Sequence, residues 1–361
     1  MDEHAAPESD ADATASETAN AESPDAGALP EELPPVEPPS ASFIMQLFLV
    51  PAIIVAAVIG IWALFGQLSA SEQDWRQLVT ELRSNNEHRR WRGASGLAQM
   101  LRADMDLGEN GQNLASNQQI ATELTALMEE LLADPTRSEE LIRQQDFVIR
   151  TLSFLDVHDT TLPVLIEATK PDQELIVRAA ALRALSIVAS RASEQGAPID
   201  REEVIDSVSE ASQDSEALIR QSSAFAMGFL PGEQLEQRLR VMLEDPDAET
   251  RLNAAIAFAR RQDPAGIGVF LANLETALQT VDPESMEGDT PQEKMLRAQS
   301  ENDLRTIVTG NVLKAVRDLK SQLTDEQKSK ALKLSRAIAS DHREVKIRLE
   351  AETTVRELSE S

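Results

Sequence analysis

Cysteine is absent, which excludes a disulfide scaffold, a zinc–thiolate or iron–sulfur centre and a cysteine nucleophile. Tyrosine is absent too, and aromatic residues make up only 3% of the chain. Basic residues are scarce: 34 Lys and Arg face 62 Asp and Glu, a net charge of −28. That balance argues against nucleic acid as a partner, because phosphate binding needs a basic patch that releases counterions. The four histidines (His4, His88, His158 and His342) are scattered, with no His-x-x-x-His and no His-Glu pair. There is no Gly-x-x-x-x-Gly-Lys-Ser/Thr loop, no Gly-x-Gly-x-x-Gly after a strand and no Gly-x-Ser-x-Gly elbow. Gly266-Ile267-Gly268 is a lone pair of glycines. Acidic pairs such as Glu129-Glu130, Glu139-Glu140 and Glu202-Glu203 suit solvated helix faces or first turns, where acids complement the helix dipole. The expectation is a chain with no catalytic residues, no cofactor and no metal site.

What is present falls into three regions of unlike composition. Residues 1–42 hold eleven acids, no Lys or Arg, and many Ala, Ser, Thr and Pro, ending in Leu33-Pro34-Pro35-Val36-Glu37-Pro38-Pro39. Too little apolar surface is available to offset the entropy of ordering, so this region reads as a disordered spacer leaning towards polyproline II at its end, the competing reading being a docking peptide for a proline-reading partner. Residues 43–66, from Phe43 to Gly66, carry no charge and a single amide, Gln46. At ~1.5 Å per residue they span roughly 36 Å, enough to cross a hydrocarbon core of ~30 Å, so they predict one transmembrane helix. Pro51 lies inside it and is tolerated there through local backbone adjustment. Ala52, Ala56 and Gly60 recur every four residues, a small-residue face for helix pairing or self-association in the membrane. No basic residue precedes the span, whereas Arg76, Arg83, Arg89, Arg90 and Arg92 follow it. That asymmetry places the C-terminal region in the cytoplasm.

Residues 71–358 show helical periodicity and almost no strand signal. Trp75, Leu78, Val79 and Leu82 form one apolar stripe, and similar stripes recur to Leu358 between turns such as Lys170-Pro171, Pro231-Gly232 and Asp245-Pro246. Two stretches, Arg102–Asn117 and Val281–Pro291, read as long loops. Three segments align on an arginine with an acid six residues before it: Asp172 with Arg178, Asp214 with Arg220, and Asp245 with Arg251. Small or apolar residues follow at three and four, and Leu185, Met227 and Phe258 at seven. Weaker copies place the arginine at Arg92, Arg150 and Arg348. The anchors lie 42 and 31 residues apart, the spacing of helix pairs.

These segments resemble the HEAT-repeat family, in which an Asp near the start of the second helix precedes Val/Ile-Arg and Ala-x-x-Ala-Leu packing. Asp172, Val177, Arg178, Ala181 and Leu185 match best, and Asp214, Ile219, Arg220, Ala224 and Met227 nearly as well. In the third segment Thr250 replaces the aliphatic residue. The resemblance implies an all-α solenoid in which Asp and Arg form a structural ladder between repeats, and a curved surface offered to a protein partner. The chain departs from HEAT-like metal hydroxylases, which carry repeated His-Glu pairs, and from HEAT-like DNA glycosylases, whose concave surface is basic. Residues after 66 hold 34 bases and 51 acids.

The function expected is that of a single-pass, membrane-tethered scaffold or adaptor binding another protein, as in an accessory subunit of a membrane complex. The competing readings are a HEAT-like lyase or modifying enzyme, and an envelope structural protein with the solenoid outside the membrane. The basic run Arg89-Arg90-Trp91-Arg92 points to salt bridges with neighbouring helices or to anionic lipid headgroups.

Overall fold

A computed structural model describes Leu49, residues 52–60 and residues 74–360. The chain divides into two units, Met1–Ser71 and Glu72–Ser361. The expected disordered tail and most of the expected transmembrane span lie outside the described residues. In the first unit, Leu49 and residues 52–60 (α1) are helical. Every residue of α1 is exposed, and Ile53, Ile54, Val55, Val58 and Ile59 each present more than half their surface. Among the described residues no helix is long and apolar enough to cross a membrane.

The described part of the second unit is built from helices alone. They are α2 (Trp75–Leu82), α3 (Glu87–Leu107), α4 (Gln118–Ala133), α5 (Glu139–Leu152), α6 (His158–Glu167), α7 (Leu175–Glu194), α8 (Glu202–Ala211) and α9 (Ala217–Met227). There follow α10 (Glu233–Met242), α11 (Ala248–Arg260), α12 (Ile267–Thr276), α13 (Pro291–Asp318), α14 (Asp325–Asp341) and α15 (Val345–Glu360). Each even-numbered helix packs on the odd-numbered helix after it. The odd-numbered helices then stack as one row from α3 to α15, and the even-numbered ones as a second row from α2 to α10 and again from α12 to α14. This two-layer stack of helix pairs is an α-solenoid, in which each pair buries its apolar face against its neighbours.

Local chemistry sets the helix ends. Asn86, Asn117, Ser138 and Asp247 accept hydrogen bonds from amides of the first turn that lack helical partners. Thr290 and Glu293 form a capping box at the start of α13, and Thr324 and Gln327 another at α14. The small residues of α7 allow close approach on several sides at once. Ala179, Ala180, Ala181, Ala184, Ala189 and Ala192 are all buried, with Leu182, Leu185 and Val188 filling the seams.

The two expected loops differ from their prediction. Helix α3 continues to Leu107, and two 3-10 turns complete the return to α4. The buried carboxylate of Asp104 organises this return by accepting from the amides of Gln112 and Leu114. The second stretch belongs to a connection between α12 and α13 that contains a 3-10 turn at Pro283–Ser285. It folds back on α13, where the Val281 amide donates to Asn302 Oδ1 at 2.9 Å.

The core has two parts. The first runs from α2 to α11, and the second from α11 to α15. Helix α11 serves both: Ala254, Ala257 and Phe258 join the first, Ala255 and Ala259 the second.

Candidate protein-binding surface and its arginine ladder

In five odd-numbered helices the fourth residue is arginine: Arg90, Arg178, Arg220, Arg251 and Arg348. Helical phase places this side chain beside the turn that leads into its own helix. Arg220 Nη1 donates to the carbonyls of Asp214 at 3.0 Å and Ser215 at 2.9 Å. Arg251 Nη1 does the same to Asp245 at 2.6 Å and Pro246 at 3.0 Å, and Arg348 Nη1 to His342 at 2.6 Å and Arg343 at 3.2 Å. Arg90 donates to Ser84 at 2.6 Å. The first copy is therefore Arg90, in place of the expected Arg92, which instead pairs with Glu81 at 2.9 Å. Arg150 pairs with Asp146 on its own helix at 2.9 Å; α5 has Ile142 at the fourth position.

Three of these arginines also reach an acid in the following repeat. Arg90 pairs with Glu140, and Arg178 with Asp214. Arg220 grips Asp245 through both Nε and Nη2, each at 2.9 Å. The acids are held ready by their own turns: Asp214 Oδ1 accepts from the Glu216 amide and Asp245 Oδ1 from the Asp247 amide, both at 2.9 Å. Burial pushes the Asp214 carboxyl up, but the Arg178 hydrogen bond and the Glu216 amide outweigh it and hold it below the ordinary range. The Arg220 hydrogen bond holds Asp245 below that range despite burial. Two predicted ladder members stand apart. Asp172 is exposed and offers only its carbonyl, which accepts from Arg137 at 2.6 Å. No carboxylate of the described residues forms an ion pair with Arg251.

A second set of arginine ties escaped the sequence. Arg191 at the end of α7 reaches back to Asp156 at 2.6 Å and to the carbonyls of Ser153 and Leu155, both at 2.9 Å. Arg238 binds Ser212, and Arg261 binds the carbonyls of Met227 at 2.7 Å and Leu230 at 2.8 Å. Most acceptors are backbone carbonyls, which leave no mark in a sequence.

The surface of the second unit is asymmetric. Of its thirteen large hydrophobic residues left exposed, eleven lie on odd-numbered helices, and only Val241 lies on an even-numbered one. Trp91 on α3 is 70% exposed, and Ile307 on α13 60%. Trp91 edges a groove of about 280 Å³ floored by Leu82, Ala94 and Phe147. Of the basic run beside it, Arg90 and Arg92 are engaged with Glu140 and Glu81, leaving Arg89 exposed.

The histidines are not brought together. His88 is exposed, whereas burial lowers the affinity of His158 and His342 for protons. His342 Nδ1 accepts from the Glu344 amide at 3.1 Å, which requires an unprotonated nitrogen. Among the described residues no group of three or more His, Asp or Glu is arranged to hold a metal ion. Ala52, Ala56 and Gly60 all lie exposed on α1, and a side-chain carbon added at Gly60 would meet nothing within 4 Å.

No protein-family model matches the chain, and no curated protein matches it in sequence. Solved structures with a similar helix arrangement include an archaeal HEAT-like repeats protein from Thermococcus onnurineus NA1, at 15% identity and TM-score 0.41 over 74% of this chain and 97% of that one. The CpcE–CpcF complex of phycocyanin lyase from Nostoc sp. PCC7120 aligns at 14% identity and TM-score 0.42 over 79% and 94%. A designed armadillo repeat protein in complex with the peptide (KR)4 aligns at 14% identity and TM-score 0.36 over 79% and 100%. On its own geometry the described part of the second unit is an all-α solenoid of stacked helix pairs, and it resembles HEAT-like repeat proteins.

Proposed function

We propose that this protein is a membrane-tethered scaffold that binds another polypeptide along its odd-numbered row and performs no chemistry itself. The observation that carries the reading is the asymmetry of exposed hydrophobic side chains, eleven on one row against one on the other. Apolar exposure concentrated on one row of an otherwise charged surface marks that row as the side to be covered, because water penalises it until a partner does so. The ladder supports the same role by fixing the register of successive helix pairs, so that the row presents side chains at set positions.

The tether rests on the uncharged run of residues 43–66 and on α1, whose aliphatic side chains are all exposed. Lipid satisfies such a surface. The small-residue face of Ala52, Ala56 and Gly60 would then pair with a second helix in the membrane. The arginines after the run favour a cytoplasmic solenoid. Tethering raises the effective concentration of the scaffold for a membrane-bound partner, such as a subunit of a larger complex.

The test is affinity purification of the full chain from detergent-solubilised membranes, alongside alkaline extraction and protease access in intact cells. Retention in the extracted membrane, protection of residues 74–360 and a reproducible co-purifying protein are expected. Release by alkali contradicts the tether. Digestion in intact cells contradicts the cytoplasmic placement. Repeated recovery of no partner contradicts the scaffold.

A further inference from the structure

Of the four ladder arginines that have a further helix pair after them, Arg90, Arg178, Arg220 and Arg251, only Arg251 pairs with no acid among the described residues. Arg178 and Arg220 each bind an aspartate that caps the next turn of the same edge. For Arg251 that turn would join α12 to α13. Here the connection runs back along α13, with Asp282 spent on the Glu284 amide and Glu284 on Lys294. The part of α13 beside α11 is mid-helix, around Leu304, and its nearby acid Glu301 is held by Arg305 at 3.2 Å. No turn and no capping aspartate arrive. Arg251 instead lines a cleft of about 540 Å³ between the α10–α11 turn and α12. A second lobe of about 270 Å³ shares Ala248, Asn273 and Thr276 with it.

We propose that this cleft is a binding site for an Asp or Glu side chain of a partner polypeptide, which completes the ladder at Arg251 as Asp245 does at Arg220. The inference rests on the protein-binding reading above: the partner on the odd-numbered row would reach past Ala248 and Arg251 of α11 onto α12. A guanidinium whose Nη1 is already fixed on two carbonyls is pre-oriented, so little side-chain entropy remains to be lost when a carboxylate docks. Ala265, Val269 and Ala272 wall the cleft, and a side-chain carbon at Gly268 would meet nothing within 4 Å, which leaves room for a ligand side chain. Glu244 in this cleft and Glu249 and Glu301 in the second lobe disfavour a run of acids. The preferred ligand is therefore a single acid flanked by Lys or Arg, with the basic neighbours meeting these glutamates.

The full chain in detergent micelles is screened against a positional library of twelve-residue peptides, made with both free and amidated C-termini. The expected result is enrichment of Asp or Glu at one position beside Lys or Arg, equal in both forms. The best peptide should lose on the order of tenfold in affinity or more with Arg251→Gln. Gly268→Leu, which fills the cleft and leaves the arginine in place, should lose as much. Enrichment confined to free C-termini would assign the site to a terminal carboxylate and overturn the side-chain proposal. Peptide binding without selection for an acid, or unchanged by both variants, overturns the site but leaves the scaffold reading standing. Binding of no peptide at all contradicts both.

Discussion

Between α7 and α11 the solenoid is tied at both ends of its helices, whereas from α12 onward it is held mainly by a separate core and by ion pairs between helix flanks. In the first region Arg178 and Arg220 reach forward to the next turn, and Arg191, Arg238 and Arg261 reach back to the previous one. In the second, the cross-helix pairs include Arg317 with Glu350 at 2.6 Å, Lys320 with Glu357 at 2.8 Å and Lys330 with Glu275 at 2.7 Å. The difference follows from α13. With 28 residues it begins well before the point where it meets α11, so its leading turn lies out of register. An arginine ladder needs a turn at each step, and where the turn is displaced the arginine keeps its own carbonyls and loses its acid.

The largest expected effect separates Arg220 from Arg251. Arg220→Ala leaves Asp245 partly buried without its cation and should cost about 3 kcal/mol in urea unfolding of the full chain. Arg251→Ala removes only bonds to carbonyls and should cost about 1 kcal/mol. Equal losses would erase the distinction between the regions. Gly266→Val tests the joint between the cores. A side-chain carbon there would lie 2.5 Å from Ala255 Cα, and α11 must shift, at a cost of about 2 kcal/mol. The same assay reads it, and a neutral result would mean the joint is loosely packed.

Acidification gives a third comparison. Asp214 and Asp245 titrate below their unfolded value of about 3.9, so their stabilisation is complete above that pH and fades as pH falls through the folded values. Protection factors of amides in α9 and α11, which discount the slower intrinsic exchange in acid, should therefore fall below about pH 4, and Arg220→Ala should flatten the response. The smallest effect lies in the second region. Burial keeps His342 neutral below the unfolded histidine value of about 6.5, so stability declines as pH falls from there towards the folded value. His342→Asn retains an acceptor for the Glu344 amide and should remove this slope, read as urea midpoints between pH 7 and 5.

The helical stripes made the paired-helix architecture legible in the sequence, and the six-residue spacing from Asp to Arg marked Asp214, Arg220 and Asp245 without saying which residues pair between repeats. Other features were not. Arg90 and Arg92 flank Trp91, and only the start of α3 decides which faces the turn. Glu140 is a rung acid that sits in the first turn of α5, where any acid is favourable, so its sequence context carries no special signal. Arg191 and Arg261 bind carbonyls, whose positions depend on tertiary packing alone. Asp245 and Arg251 follow the same spacing as Asp214 and Arg220, yet the rung beyond Arg251 is missing because of a helix that starts some forty residues later.

Site-specific photo-crosslinking in native membranes bears most directly on the scaffold. With the crosslinker placed in turn at Ile187, Ile307 and Val241, one and the same foreign protein should be captured from the first two positions and not from the third. Capture from Val241 alone, or from none of the three, would contradict a solenoid that binds its partner along the odd-numbered row.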